Sequence, residues 1–372
     1  MITLNQNLNH LALSPIRVYA AMARETPDCV SLTIGEPDFD TPENVKAAAV
    51  AALMENQTHY APNQGIPELC RAIAEAEQVN PSRVLVTIGA TQALFTALMG
   101  VLNPGDEVIV PAPGFGLYTS VAGIAGAKAI PLDMTKQNFQ IEKEALEALI
   151  TPKTKAIVLN SPNNPTGVIL NRQSLRAVEE AVLGKDIFVI CDNVYQGLCS
   201  APCPDFAKDS PLQDQIIRCQ SFSKPWAMTG WRIGYVVAPQ YVMDRLLLLS
   251  AMTITAVPTF LQTAAVEALK TEPREMVDTY ARRREYVCNR LREMHLDFPE
   301  PEGAFYVFVD IRKFGIGSDE FCTRMIREAK VAAVPGSCFG SEGFIRLSYC
   351  CSDENLAKGL DRLAAFIQRL QP

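Results

Sequence analysis

Residues 221–235 of the chain read SFSKPWAMTGWRIGY. Lys224 stands beside Ser221 and Ser223, and Arg232 follows in the same segment. A lysine amine forms a Schiff base with a carbonyl. Two hydroxyls and a guanidinium suit a buried phosphate monoester. The segment therefore asks for a small molecule that carries both an aldehyde and a phosphate. Lysine and serine are common residues, so the segment gains weight only if other parts of such a site lie elsewhere in the chain.

Five other places supply candidates. GATQAL (89–94) follows an apolar run and opens a helical one. Free N–H groups at a helix N-terminus bind phosphate, Gly89 lets the backbone approach closely, and Thr91 adds a hydroxyl. A capped strand–helix turn explains the same residues. NSPNNPTG (160–167) is dense in Asn and Pro, as any turn is, yet Asn164 equally offers an amide to a ligand oxygen. Asp192 ends the apolar run IFVIC, where a carboxylate is costly unless paired. A protonated pyridine nitrogen would pair with it and keep the ring able to accept electrons. Tyr195 then suits a phenolic oxygen on that ring; an Asp capping the next helix is the plainer alternative. Phe115, in the Gly-rich PAPGFGLY (111–118), either stacks on something flat or belongs to the core. Arg346, in the apolar FIRLSY (344–349), needs an anion, from an internal salt bridge or from a substrate carboxylate held bidentately. Taken together these are an amine, phosphate donors, a pyridine partner, a ring stack and a carboxylate clamp. Pyridoxal phosphate (PLP) with an amino acid answers to all of them.

The elements that must position them follow from periodicity. Apolar runs at 84–88, 107–112, 127–132, 155–160, 187–192, 216–221 and 233–238 alternate with helical patterns such as 90–102, 142–150 and 172–183. Runs apolar on both faces and separated by helices predict a mostly parallel sheet covered on both sides. Ligands bind such sheets at the carboxyl ends of the strands, which is where the candidates fall. From about residue 275 the pattern changes to a charged helix (274–294), a strand within 304–311, a helix (318–330), a strand at 344–349 and a final helix (353–370). These predict a smaller α+β domain, with short, irregular residues before about 40 packed on it. The expected domains are 40–270, and 1–39 together with 271–372.

Bulk properties narrow the function classes. The chain has 372 residues, enough for two domains, and a net charge of -7 with no basic run. That argues against a nucleic-acid or anionic-membrane partner. Eleven cysteines and three histidines are scattered, and Cys199 and Cys203 have no second pair to complete a zinc site. We expect free thiols, a reducing cytoplasm and no metal. The opening MITLNQNLNH lacks the pattern of a signal peptide. Residues 246–266 carry no charge but contain four Thr, a Ser, a Gln and Pro258, which predicts a buried or subunit-interface helix rather than a membrane span.

With these residues in hand, the chain resembles the class I/II PLP-dependent aminotransferases of fold type I. The resemblance runs nearly end to end through IGEPDF (34–39), HYAPNQG (59–65), GATQAL, NSPNNPTG, CDNVY (191–195), SFSK…GWRIGY, GAFY (303–306) and VPGSCFG…IRLS (334–348). It implies a three-layer α/β/α large domain with a mostly parallel seven-stranded sheet, plus the small α+β domain. It implies that Lys224 holds the cofactor, Asp192 meets the pyridine nitrogen, and Asn164 and Tyr195 meet the ring oxygen. Phe115 would stack on the ring, and Ala90, Thr91, Ser221, Ser223 and Arg232 would bind the phosphate. Tyr60 would reach the phosphate of a neighbouring subunit, which implies a homodimer with shared sites. Gly35, Asn164 and Arg346 would hold the substrate α-carboxylate.

The implied activity moves an amino group from an L-amino acid to a 2-oxo acid with ping-pong kinetics. Alternatives on the same fold are a C–S β-lyase and a non-catalytic PLP-binding domain. This sequence also departs from the family's pattern. Pro225 follows the lysine where small hydroxyl residues are usual, and Asn193 and Gln196 stand where acids are frequent. Thr91 occupies a place where some bacterial aspartate aminotransferases carry a lysine. The overall flavour is that of aspartate, aromatic or N-acetyl-diaminopimelate aminotransferases, and the donor stays open.

Overall fold

The computed structural model describes residues 15–370 together with Leu8 and Leu11. The opening decapeptide read for a signal peptide, Leu8 apart, lies outside the described residues. The central sheet has seven strands: β2 (Val84–Thr87), β3 (Glu107–Ala112), β4 (Lys128–Asp133), β5 (Thr154–Asn160), β6 (Phe188–Asp192), β7 (Ile216–Ser221) and β8 (Gly234–Val237), preceded in the chain by the short β1 (Val30–Ser31). The order across the sheet is β2-β8-β7-β6-β5-β3-β4, and only β8 runs against the others. All seven expected runs are therefore strands, and the class is α/β. Every residue of β2, β7 and β8 is buried, because helices cover both faces. β4, at the edge of the sheet, is half exposed and carries Pro131, whose missing N–H costs least on an edge strand.

The first helices are α1 (Pro15–Glu25), α2 (Glu43–Met54), α3 (Pro67–Glu77), α4 (Gly89–Val101) and α5 (Leu117–Ile124). α4 is apolar on most sides and lies buried, with Ala93, Leu94, Ala97, Leu98 and Val101 in the core over β7 and β8. This burial fixes the start of α4 at the end of β2, where the GATQAL residues are needed.

The second part is built on β9 (Tyr306–Asp310), β11 (Val334–Pro335) and β12 (Phe344–Ser348), paired antiparallel in the order β11-β12-β9, while β1 pairs in parallel with β10 (Val331–Ala332). The helix Asp353–Leu370 closes it. Its Leu356, Leu360, Leu363, Phe366 and Ile367 recur at helical spacing, and all are buried. Truncating one such side chain to alanine costs about 2–5 kcal/mol. One core joins these residues to Tyr19, Val30 and Leu32. Arg283 ties the N-terminal loop to the C-terminal helix through Asp38 at 2.8 Å and Asp353 at 2.7 Å.

Three expectations need correction. The residues before 40 are not merely irregular, because α1 spans 11 residues there and buries Tyr19, Ala20 and Ala23. The uncharged stretch 246–266 is not one helix but parts of two, Gln240–Ile254 and Thr259–Ala268. Thr255 breaks the first at φ 61°, and Pro258 prevents the chain from continuing as a helix. The helix expected over 318–330 is α-helical only for Ser318–Arg324, then widens into a π-turn over Met325–Ala329 before Lys330 enters the left-handed region at φ 58°. No helix among the described residues is long and apolar enough to cross a membrane.

Candidate active site

A cavity of about 870 Å³ opens at the carboxyl ends of β2, β5, β6 and β7. Ala90, Thr91, Phe115, Asn164, Asp192 and Tyr195 line it. So do Ser221, Ser223, Lys224, Arg232, Gly35 and Arg346. The structure thus brings every candidate residue to one place except Tyr60, which is 93% exposed and outside this lining.

The first corner is the start of α4. Gly89 has φ +70°, and a Cβ there would fall 2.6 Å from Arg232 Nη2, so glycine lets the guanidinium lie against the turn. Arg232 is held by Nη1 donating to the Thr229 carbonyl at 2.8 Å. A Cβ on Gly234 would approach Ala90 N to 3.0 Å, so β8 also needs glycine where it presses on this turn. No side chain caps α4, which leaves its first-turn N–H groups available to an anion. Ser221 Oγ accepts from Ser223 N at 3.0 Å. Backbone donors, two serines and one arginine therefore converge on one spot.

The second corner is Asp192. Its carboxylate meets no cation among the described residues. Tyr118 Oη donates to Oδ2 at 2.5 Å, and Val194 N donates to Oδ1 at 3.4 Å. Burial pushes the carboxyl up to about 6, against the downward pull of those two donors. The doubled Asn motif proves largely structural. Asn160 Nδ2 donates to the Asp192 carbonyl at 3.0 Å, and its Oδ1 accepts from Asn164 N at 2.8 Å. Asn163 Oδ1 accepts from the Thr166 hydroxyl at 2.9 Å. Asn164 and Asn160 both line the cavity, and Asn163 does not.

Lys224 is half-buried, and its Nζ donates to the Gly35 carbonyl at 2.6 Å. Burial pulls the amine down to about 8, and the cations Arg346 and Arg232 act in the same direction. Arg346 is 1% exposed. It donates from Nη1 to Asn164 Oδ1 at 2.9 Å and from Nη2 to the Thr33 carbonyl. Its guanidinium stacks 4.4 Å from the Tyr306 ring centre and 5.0 Å from that of Phe339. No carboxylate pairs with it among the described residues, and its buried Nε has no partner. An internal salt bridge is therefore not what satisfies it. A buried guanidinium held only by neutral acceptors keeps its charge available for an anion.

Tyr195 and Tyr306 join hydroxyl to hydroxyl at 2.8 Å. Burial holds Tyr195 well above the ordinary phenol value and pushes Tyr306 up to about 12, so both stay protonated at neutral pH. A Cβ on Gly35 would lie 1.7 Å from the Tyr306 hydroxyl, which explains glycine in IGEPDF. Sequence reasoning missed Tyr118, Asn160 and Tyr306 as site residues. Tyr118 carried one available signal, a polar-tipped aromatic three residues after Phe115 in PAPGFGLY.

Residues 27–363 match the family described as Aminotransferase class I and II. The chain belongs to the class I and II aminotransferases. A probable N-acetyl-LL-diaminopimelate aminotransferase of Bacillus subtilis is 38% identical over 98% of this chain and 95% of that protein. An aromatic-amino-acid aminotransferase of Thermococcus litoralis is 36% identical over 97% of each. The crystal structure of an aspartate aminotransferase from Thermotoga maritima superposes with a TM-score of 0.93 at 37% identity, covering 98% of this chain and 100% of that one. The protein is thus an aminotransferase of fold type I, and the donor-side names of its relatives differ among themselves.

Proposed function

We propose that this aminotransferase uses pyridoxal 5'-phosphate to move an amino group from an L-amino acid to a 2-oxo acid, working as a cytoplasmic homodimer. One observation carries the reading. A buried carboxylate without a cation, Asp192, and a buried guanidinium without an anion, Arg346, open on the same cavity as the Lys224 amine. PLP fits these leftovers: its phosphate suits the uncapped start of α4 with Ser221, Ser223 and Arg232, and its ring nitrogen suits Asp192. When bound, the cofactor supplies an aldehyde for amine chemistry and a cationic ring that withdraws electrons.

Each residue's part then follows from its chemistry. Ala90, Thr91, Ser221, Ser223 and Arg232 bind the phosphate. Phe115 would cover one face of the ring, and Asn164 and Tyr195 would donate to its phenolic oxygen. An ionised Asp192 would hold a proton on the ring nitrogen. Arg346, with Asn164 and the Gly35 backbone, orients the substrate α-carboxylate, which directs the Cα–H toward Lys224. Lys224 Nζ then takes the Cα proton as general base. An amine with a pKa of about 8 is about a tenth unprotonated at pH 7, far more than an ordinary lysine.

The domain division 40–270, and 1–39 with 271–372, is supported by the shared core that joins Tyr19 and Leu32 to the C-terminal helices. The dimer is supported by Tyr60, exposed here and chemically suited to a partner's phosphate site, and by the exposed Met54 and Met252. Eleven unpaired thiols support a reducing compartment. The donor's identity is left open among the specificities that the relatives' names span.

The test is a half-reaction screen. The PLP-loaded protein is mixed with single amino acids, and its visible absorption is followed for loss of the yellow form. At least one L-amino acid should bleach it and release its 2-oxo acid, and Lys224→Ala should abolish this while keeping the wild-type circular dichroism. Undiminished transamination by the variant would sink the assignment of Lys224.

A further inference from the structure

Cys199 and Cys203, which have no second pair to make a zinc site, take no part in the proposed reaction. Both are half-buried, so a small solute can reach them. They follow Tyr195 in one loop after β6, separated by Ser200, Ala201 and the exposed Pro202. Their side chains converge, with the two thiols within hydrogen-bonding reach of each other. Cys199 Sγ also donates to the Gln196 carbonyl at 3.1 Å. Cys203 is the member of the pair that gives up its proton more readily. The Cys199 thiol beside it holds it below the ordinary thiol value against burial, and the Arg218 guanidinium pulls the same way. Cys199 is held above that value, by Cys203 first and by burial second. An acidic thiol beside a weaker one, both reachable from solvent, is what an attacking and a resolving cysteine require.

The pair lies where the active site can feel it. Gln196 directly follows Tyr195. Its Oε1 accepts from Arg218 Nη2 at 2.9 Å and from Nδ2 of Asn193, the neighbour of Asp192. Leu198 N donates to the Tyr195 carbonyl at 2.8 Å. Cys199 forms a β-bridge with Gly303, and Ser200 N donates to the Glu302 carbonyl at 2.8 Å. Gly303 leads into Tyr306, whose hydroxyl meets that of Tyr195. The loop is therefore tied to both segments that carry the Tyr195–Tyr306 pair.

We propose that Cys199 and Cys203 are a reversible oxidation site, at which hydrogen peroxide converts the dithiol to an intrachain disulfide and slows transamination. The Cys203 thiolate attacks one peroxide oxygen, the O–O bond breaks, and a sulfenic acid forms as hydroxide leaves and takes up the thiol's proton. The Cys199 sulfur then attacks the Cys203 sulfur, the S–O bond breaks, and a second water leaves with the Cys199 proton. Two thiols and one hydrogen peroxide thus give one disulfide and two waters, and the two electrons lost by the sulfurs are gained by the peroxide. The disulfide has no proton to donate, so the Gln196 carbonyl loses its partner and the loop slackens directly behind Tyr195. A thiol reductant restores both groups, as a transient disulfide in a reducing compartment requires.

The experiment treats the PLP-loaded protein with hydrogen peroxide and then with dithiothreitol, and reads mass and turnover at each stage. The tryptic fragment 186–208 carries both cysteines and should become lighter by about two mass units. Fragmentation should place the link between Cys199 and Cys203, since Cys191 in the same fragment is buried. The kcat/KM of the oxidised protein should fall by about twofold to tenfold, the size of one hydrogen bond, and return with the reductant. C203S should keep the starting turnover and ignore peroxide. C199S keeps a donor for the Gln196 carbonyl, so it should also start at full turnover, but its oxidation should stop at a sulfenic acid on Cys203 that dimedone traps. C199A should show the loss of turnover without any peroxide. The proposal is overturned if no disulfide joins the two residues, if the oxidised wild type works as fast as the reduced one, or if C199S/C203S loses as much activity to peroxide as the wild type. The mass readout stands apart from the proposed amino-transfer chemistry, so a failure of that reading would not hide a failure of this one.

Discussion

Asp192 offers the sharpest test, because its role in a loaded site and its cost in an empty one have opposite signs. The carboxyl is 3% exposed and has no cation beside it among the described residues. Burial lifts it from 3.8 to about 6. A carboxyl whose folded value is raised favours the native state while protonated, and that advantage is lost as pH rises through the folded value. About two units at 1.36 kcal/mol each make the ionised group cost up to ~3 kcal/mol of stability above pH 6. Asp192→Asn keeps the shape and the acceptor for the Tyr118 hydroxyl but removes the charge. The cofactor-free variant should therefore be more stable than cofactor-free wild type at pH 7.5, by up to ~3 kcal/mol. The gap should close between pH 6 and pH 4, where the wild-type carboxyl is protonated as well. All other titrating groups are common to both proteins and cancel in the difference. Denaturant unfolding at several pH values reads the gap directly. With PLP present the order should reverse, since only the ionised carboxylate pairs with the ring nitrogen. A gap that does not depend on pH, or a variant less stable at pH 7.5 without cofactor, would refute the claim that Asp192 is a strained, unpaired charge awaiting a cation.

Two further outcomes follow from the geometry. Arg346→Ala should raise KM for amino acids by about tenfold to a hundredfold with a smaller change in kcat, since charge-assisted bonds to the α-carboxylate are worth about 1.5–3 kcal/mol each; steady-state kinetics with an unchanged KM would show that another group clamps the carboxylate. Tyr118→Phe removes a donor that holds the Asp192 carboxyl down, so the acid limb of the kcat/KM profile should move to higher pH, and an unmoved limb would show that the 2.5 Å contact does not tune the carboxylate.

The large sheet was legible because buried parallel strands leave a strong mark. IFVIC, which leads into Asp192, is apolar on both faces, and no other element tolerates that at such short length. Asp192 at the end of β6 and Arg346 in β12 stood out for a related reason, since each breaks an apolar strand with a charge that is costly to bury. α1 left no such mark. Its buried stripe is only Tyr19, Ala20 and Ala23, too small to stand out from a loop, and two of its outward residues are the arginines that reach the cavity. Tyr118 and Tyr306 were hidden for the converse reason. Each sits in an apolar segment where a tyrosine reads as one more aromatic, and only the fold shows that their hydroxyls end on Asp192 and Tyr195.

What a sequence marks, then, is the costly residue rather than the partner that makes it tolerable in the ligand-free state. Lys224 shows where this logic stops. Its neighbours Ser221, Ser223 and Arg232 could be read as a phosphate cradle before any fold was known, because all lie within one strand–turn–strand segment. Its depressed amine depends on burial and on Arg346, which lies more than a hundred residues away in the chain. The chemistry common to the family is therefore local and legible. The rest of the cavity is lined by α1, the 34–36 loop, Phe115 and Gly116 with the first turn of α5, and Cys338, segments that meet only in the folded chain. The cavity beyond the lysine is therefore a property of the folded chain, and no single segment of the sequence displays it.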